Sequence, residues 1–226
     1  MYLSRIRLHP EAGKRPQFWK IMSDPYHIHT VIWGLFSHGN EQPRSFLYRI
    51  DIRNGIHTIY TVSSIVPRDD WDIWSIEAKP YNPTLRKDQH LQFMLRANPI
   101  RSKRDAQGKQ HRHDVVMEAK AWLKKSECPR DQWPSEAELV QKEGGAWLQT
   151  RAEKHGFAIN PMAIRAEGYN QHSFMKLAGQ DPVRFSTIDF TGSLTVTDPE
   201  RFLKMLNTGI GPAKGFGCGL MLVKPI

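Results

Sequence analysis

The chain has 226 residues, with 32 Lys and Arg against 23 Asp and Glu for a net charge of +9. Hydrophobic residues make up 39% of it, enough apolar surface for a core, which excludes wholesale disorder. No run nears the roughly 18 apolar residues of a membrane span, and the opening Met-Tyr-Leu-Ser-Arg lacks the apolar region of a signal peptide, so a cytoplasmic protein is expected.

From the start, Tyr2, Ser4, Ile6 and Leu8 alternate with Leu3, Arg5 and Arg7, as a strand with one buried side would. Ser23 or Asp24 then caps a helix with Pro25 at its first position, and Ile28, Val31, Ile32, Leu35 and Phe36 form its apolar stripe. Phe46, Tyr48, Ile50 and Ile52 return to period two. Asn54-Gly55 separates this run from another over 56–65, a strong hairpin signal. Strand, helix, strand, strand begins a β-α-β-β-α-β ferredoxin-like unit. The stretch from Pro67 to Pro83 is too irregular to place that unit's second helix or fourth strand.

A new strand is expected over Leu91 to Ala97, and helices over Val115 to Lys125 and from Ser135 onward, where Ser135 and Glu138 make a capping box. Gly144-Gly145 marks a point where the second of these would split or bend before ending near Gly156. Strands over Phe157 to Tyr169 and Arg184 to Thr197 follow. A short helix capped by Asp198-Pro199 and a last strand over Leu220 to Val223 complete a second series in the same order as the first.

Four features could carry chemistry. With a pI near 9.6, the excess positive charge would concentrate a polyanion such as nucleic acid, the alternative being solvated side chains without a partner. Much of that charge lies between residues 101 and 113, where Arg101, Lys103, Arg104, Lys109 and Arg112 face Asp105 alone in a segment too polar for a core. The tail Gly209-Ile-Gly-Pro-Ala-Lys-Gly-Phe-Gly-Cys-Gly219 follows a helix and precedes the last strand, so no helix remains to receive a dinucleotide's pyrophosphate. Lys214 is not followed by Ser or Thr, which excludes a Walker loop. A tight connector and an RNA or phosphate contact both remain open for this tail. On the first helix, Tyr26, His29 and Trp33 share one flank, His27 lies on the other, and Thr30 faces solvent. Tyr26 and His29 near a helix start could move protons on a phosphate ester without a metal, the alternative being surface or capping residues.

No metal or other cofactor is expected. His27, His29, His111 and His113 lack the i, i+4 spacing of a helical zinc motif, and Cys128 and Cys218 are too few for a Cys-based site or a disulfide framework. No Gly-x-Ser-x-Gly elbow is present.

The opening Met1-Tyr-Leu-Ser, Asp24-Pro-Tyr-His-Ile-His29 leading into Trp33-Gly-Leu-Phe36, Phe46-Leu-Tyr-Arg49, Arg96-Ala-Asn-Pro-Ile100 and the tail together resemble the CasE-type CRISPR endoribonucleases, the RNA-processing subunit of type I-E Cascade complexes. In that family the tail is a GhGxxxxxGhG loop, and Gly209, Gly211, Gly217 and Gly219 fall on its four Gly positions. The resemblance covers most of the chain and rests on the order and spacing of these segments.

It implies an α+β fold of two tandem ferredoxin-like domains, residues 1–88 with the Tyr26 and His29 site and residues 89–226 with the basic segment and the Gly-rich loop. It implies as partners the repeat hairpin of a precursor CRISPR RNA and the other Cascade subunits, and no membrane. Cleavage would fall at the 3′ base of the hairpin by attack of a ribose 2′-OH, leaving a 2′,3′-cyclic phosphate. The family's Tyr-x-x-His pair maps onto Tyr26 and His29, with Tyr26 orienting and His29 moving a proton. Arg101, Lys103, Arg104, Lys109, Arg112, Lys214 and the four loop glycines are the expected RNA-binding residues. A structural subunit that holds the hairpin without cutting is the alternative.

Overall fold

The computed structural model describes residues 1–9, 11–14, 25–36, 46–70, 73–126, 128–175 and 181–226, with the backbone alone of Gly13, Pro25 and Tyr26. The expected cap at Ser23 or Asp24 lies outside these residues.

The first sheet contains β1 (Tyr2–Leu8), β2 (Phe46–Arg53), β3 (Ile56–Ser63) and β4 (Trp74–Pro80), in the antiparallel order β2-β3-β1-β4. The helix α1 (Pro25–Gly34) covers one face. Ile32, Leu35 and Phe36 bury against Ile6, Phe46, Tyr48, Ile59 and Trp74, which is the core that the two periodicities require. The β2–β3 turn is Asn54-Gly55 as expected, with left-handed φ of 51° and 74°.

The irregular stretch after Pro67 holds the fourth strand. Trp74 and Ile76 point into the core, and the whole of β4 pairs with β1. Its alternation was hidden because an edge strand leaves most of its residues exposed and prolines flank it. Among the described residues no helix joins β3 to β4. The connection is instead gathered by Asp69, whose carboxylate accepts from the backbone N–H groups of Ile73 and Trp74 at 2.6 and 2.5 Å.

The second sheet contains β5 (His90–Ala97), β8 (Phe157–Phe174), β9 (Val183–Val196) and β10 (Met221–Pro225), in the order β10-β5-β9-β8. Taken by sequence within each half, both sheets have the fourth, first, third and second strands side by side, all antiparallel. The fold is therefore α+β with two tandem ferredoxin-like units. Between β5 and β8 the second unit carries a projecting hairpin, β6 (Ile100–Arg104) with β7 (Gln110–Asp114), and the helices α2 (Val115–Lys125) and α3 (Glu136–Lys154). The helix α4 (Pro199–Thr208) follows β9, with Asp198 as its N-cap.

Ser135 and Glu138 form the expected reciprocal capping box at the start of α3. The helix α3 runs unbroken through Gly144-Gly145, so the pair does not split it, correcting that part of the sequence reading. A Cβ on Gly144 would lie 3.2 to 3.4 Å from Ile188, Phe190 and Ala166, so the glycine lets the helix approach the sheet closely.

The two sheets meet along a seam. Leu47 and Val62 of the first pack on Leu220 of the second, with Leu3, Tyr60, Tyr81 and Leu222 around them. Beside this apolar contact Asp189 of β9 accepts two hydrogen bonds from Arg96, at 3.0 and 2.7 Å, while Arg96 also donates to the Ile50 carbonyl at 3.2 Å. Arg49, only 4% exposed, bonds Asp51 at 2.6 Å and places its other arm 3.4 Å from Asp189, within ion-pair reach though not aligned as a hydrogen bond. Burial works against the charge on Arg96, but Asp189 outweighs it and raises the pKa.

Candidate functional site

His29 is half-buried on the second turn of α1, where the helix meets the second unit. Trp33, one turn on, meets its ring edge-on at a centroid distance of 5.7 Å, and Phe216 approaches from the 209–219 loop at 5.9 Å. His27, expected on the opposite flank, is exposed, and so is Thr30, expected to face solvent. The Tyr26 side chain lies outside the described residues, although its place in α1, three residues before His29, sets its backbone one turn away on the same helix.

Phe216 itself begins a column of rings. It stacks on Phe185 at 5.1 Å, and Phe185 stacks on His172 at 4.6 Å. Phe174 closes edge-on against Phe216 at 5.1 Å. Two clefts open beside this column. One of about 220 Å³ is bordered by Ile28, Tyr48, Arg96 and Gly217, and the other, of about 760 Å³, by Asn98, Arg112 and Arg184. His172, Phe185 and Phe216 line both. Burial, reinforced by the Arg96 charge, lowers the His172 pKa, so its imidazole is held toward the neutral form while its Nε2 lies 3.1 Å from the Thr187 hydroxyl.

The Gly-rich loop serves the seam. A Cβ on Gly209 would come within 2.9 Å of the Leu47 side chain, and one on Gly217 within 3.3 Å of the Tyr48 ring, at left-handed φ of 76° and 78°. Tyr48, 1% exposed, donates its hydroxyl to the Gly215 carbonyl at 2.8 Å. Gly211 lies against Trp147, and Gly219 donates its N–H to the Arg96 carbonyl at 2.7 Å. Lys214 gives its ammonium to the Thr208 carbonyl at 2.6 Å. The structure thus gives all five expected loop residues contacts within the protein, in keeping with the tight-connector reading. Cys218 in the same loop is buried, which pushes its thiol up to about 12 and keeps it un-ionised at neutral pH.

The basic segment is the β6–β7 hairpin, and its register sorts the five cations. Arg101 lies opposite His113 and Lys103 opposite His111, so these four share one face. Arg101 is paired there with Glu143 at 3.1 Å, and Lys103 with Glu118. Ser102 lies opposite Arg112 and Arg104 opposite Gln110 on the other face, where both arginines are exposed. Neither Arg104 nor Arg112 has an ion-pair partner among the described residues. Lys109 is exposed at the turn, next to Asp105, whose carboxylate accepts from the Lys109 backbone N–H at 2.8 Å and bonds His111 at 2.7 Å.

Sequence reasoning singled out His29 with Trp33 on its flank but missed the neighbours that the second unit supplies. Phe216 was visible only as an aromatic within a glycine-rich loop, and His172 and Arg184 gave no signal before the sheet paired. Asp189 was equally silent, and Arg49 and Arg96 entered only within the segments that carry the family resemblance. Among the described residues no three His, Cys, Asp or Glu side chains are grouped as metal ligands would be. Nor is any described helix long and apolar enough to cross a membrane.

Two sheets of identical strand order, locked along a seam with a histidine-bearing helix on one side and a projecting basic hairpin on the other, define a tandem ferredoxin-like α+β protein. Residues 1–225 match the family model described as CRISPR associated protein, and the chain belongs to that family. It is 27% identical over 234 residues to the CRISPR-associated endoribonuclease Cse3 of Thermus thermophilus, and 27% identical over 236 residues to the Cascade subunit CasE of Escherichia coli, each alignment covering 100% of both chains. A solved structure of Thermus thermophilus Cse3 bound to an RNA representing a pre-cleavage complex matches with a TM-score of 0.69 at 26% identity, over 99% of this chain and 98% of that one. The resemblance to the CasE type is borne out.

Proposed function

We propose that this protein is a metal-independent endoribonuclease of the cytoplasm that binds the repeat hairpin of a precursor CRISPR RNA and cuts at the hairpin's 3′ base, working with other Cascade subunits. The observation that carries this reading is the position of His29. It is held between Trp33 and Phe216 at the junction of the two units, beside clefts bordered by Arg96, Arg112 and Arg184. The full-length similarity to Cse3 and CasE supports it. Residues 1–88 would form the unit that carries His29 and Tyr26, and residues 89–226 the unit that grips the RNA.

The reaction asks little of the protein beyond geometry. The 2′-OH is tethered next to the scissile phosphate, so positioning it in line removes much of the entropic barrier that a free water would face. His29 transfers a proton at the 2′-oxygen or the leaving 5′-oxygen, and Tyr26 orients the reacting ribose or phosphate. Cations neutralise the charge that develops on the phosphoryl oxygens, and the products are a 2′,3′-cyclic phosphate and a 5′-OH. No step calls on a metal-bound hydroxide or an activated Ser or Cys. Arg104, Lys109 and Arg112 contact the RNA backbone from the open side of the hairpin. Arg101 and Lys103, already paired with glutamates, contribute less. The loop from Gly209 to Gly219 with Lys214 acts mainly by docking the two units and touches the RNA only through its half-buried segment from Gly211 to Phe216.

The test is a repeat RNA carrying one 2′-deoxy sugar just upstream of the scissile phosphate. It is expected to bind as the all-ribose hairpin does and to remain uncut. Cleavage of that substrate at the normal rate would mean that water attacks directly. Failure to cut the all-ribose hairpin would leave a subunit that only holds it.

A further inference from the structure

We propose that Phe216, presented by the Gly-rich loop of the second unit, is a positioning residue for the His29 imidazole, so that the reacting group carried by the first unit is set in place by the second. This inference rests on the reading in which His29 moves the proton.

The contact is built from both sides. On the helix side the imidazole has Trp33 on one flank, at 5.7 Å and 62°, and Phe216 on another, at 5.9 Å and 57°. Phe216 in turn is fixed from below. Its ring lies nearly parallel to Phe185, with 20° between the planes, and Phe185 nearly parallel to His172, with 18° between them, while Phe174 meets it edge-on. Such ring pairs favour offset-stacked and edge-to-face arrangements, so the column resists rotation of its top member.

The backbone presentation is equally constrained. Phe216 ends a single 3-10 turn, Lys214–Phe216, flanked by two left-handed residues, Ala213 at φ 57° and Gly217 at φ 78°. A left-handed alanine is sterically costly and persists only where its surroundings impose it. Here the Tyr48 hydroxyl holds the Gly215 carbonyl, the Lys214 ammonium holds the Thr208 carbonyl, and the Tyr48 ring packs beneath Gly217. Tyr48 belongs to β2 and packs in the same core as α1. The loop is therefore referenced to the sheet that carries His29, and its aromatic tip is returned to that histidine.

An imidazole held by aromatic walls on two flanks has little freedom to turn, which general acid–base catalysis in a fixed geometry requires. Removing one wall would leave the RNA-gripping hairpin untouched and let the ring wander. The expected signature is a loss in the rate of the bound complex without a loss of affinity.

The experiment measures single-turnover cleavage of the labelled repeat hairpin, its Kd, and the pH–rate profile for the wild-type protein and for Phe216→Ala, Phe216→Leu and Phe216→Tyr, with His29→Ala alongside. Phe216→Ala is expected to cut roughly 10- to 100-fold more slowly with Kd within about twofold, in line with the cost of misplacing a reacting group by about an ångström. Its pH–rate profile is expected to shift as the imidazole loses its covering ring. Phe216→Leu, which keeps an apolar side chain of smaller volume but not the flat ring, should be slowed as well, and Phe216→Tyr should return to within about threefold of wild type. Phe216→Leu or Phe216→Ala cutting at the wild-type rate, while His29→Ala is inactive, would overturn the positioning role and leave the nuclease reading intact. A loss that appears entirely in Kd would also overturn it. Normal cutting by His29→Ala would instead remove the reading on which the inference stands.

Discussion

Asp189 joins the two units by charge, and its replacement by Asn shows how much of the stability the seam carries. The carboxylate takes a bidentate pair from Arg96 and sits 3.4 Å from a buried arm of Arg49, with Arg49, Asp189 and Arg96 side chains 5%, 24% and 32% exposed. Removing one partner of a buried ion pair costs about 3–5 kcal/mol, because the other charge stays behind. Two features reduce that figure here. Arg49 keeps Asp51 at 2.6 Å, and Arg96 keeps the Ile50 carbonyl and partial access to water. About 2–3 kcal/mol is therefore expected for Asp189→Asn. At roughly 2–4 °C per kcal/mol for a chain of this size, Tm should fall by about 4–12 °C. Urea unfolding with an unchanged m-value gives the free energy directly, and the double variant with Arg96→Gln should lose clearly less than the sum of the two single losses. A loss below about 0.5 kcal/mol for Asp189→Asn would place the cluster among exposed ion pairs and refute the reasoning.

Three further outcomes follow from particular contacts. Gly144→Ala should destabilise, since its methyl would press on Ile188 and Phe190, whereas Gly145→Ala, whose nearest neighbour is Ile164 at 3.7 Å, should be stabilising by about 0.5–1 kcal/mol; denaturation midpoints that rank the two the other way would contradict the packing. Replacing Arg104 and Arg112 together should flatten the log–log salt dependence of hairpin binding by about 0.7–0.9 for each phosphate no longer neutralised, and more than replacing Arg101 with Lys103 does; an equal effect of the two pairs would mean that the glutamate partners do not matter. His172 and His155 have folded pKa values lowered by burial and by cationic neighbours, so the unfolded chain takes up protons first as pH falls through 6.5. Stability should decline on going from about pH 7.5 to about pH 5.5, with His172→Gln softening the decline; a midpoint that rises on acidification would show the opposite sign.

The parts of this fold that announce themselves in the sequence are those governed by local rules. The Asn54-Gly55 turn, the Ser135–Glu138 box, the Asp198 cap and the stripe on α1 each follow from neighbouring residues, and the structure forms each one. The strand β4 escaped notice because an edge strand exposes most of its side chains, and the helix expected between β3 and β4 gives way to a turn on Asp69. The glycine pair in α3 was misjudged because its reason lies across space, in the sheet beneath it.

The site divides in the same way. Helical spacing alone set His29 and His27 on different flanks, because both positions share one element, while the preference for His29 came from the family resemblance. Phe216 lies 187 residues further along the chain, and Asp189 is 140 residues from Arg49 and 93 from Arg96. Contacts of that separation depend on how two sheets dock, which no local pattern records. The basic hairpin shows an intermediate case. Its charge was plain in the sequence, but only the pairing register separates the outward Arg104 and Arg112 from Arg101 and Lys103, already paired with Glu143 and Glu118.

The most direct measurement compares His29→Ala with His27→Ala in cleavage of a labelled repeat hairpin in excess EDTA, with hairpin affinity followed in parallel. The wild-type protein and His27→Ala are expected to cut under chelation, and His29→Ala to lose about 10²- to 10⁴-fold in rate while its affinity stays within a few fold. An inactive His27→Ala beside a normally cutting His29→Ala, or wild-type cleavage that stops in EDTA and returns with added divalent ions, would contradict the account.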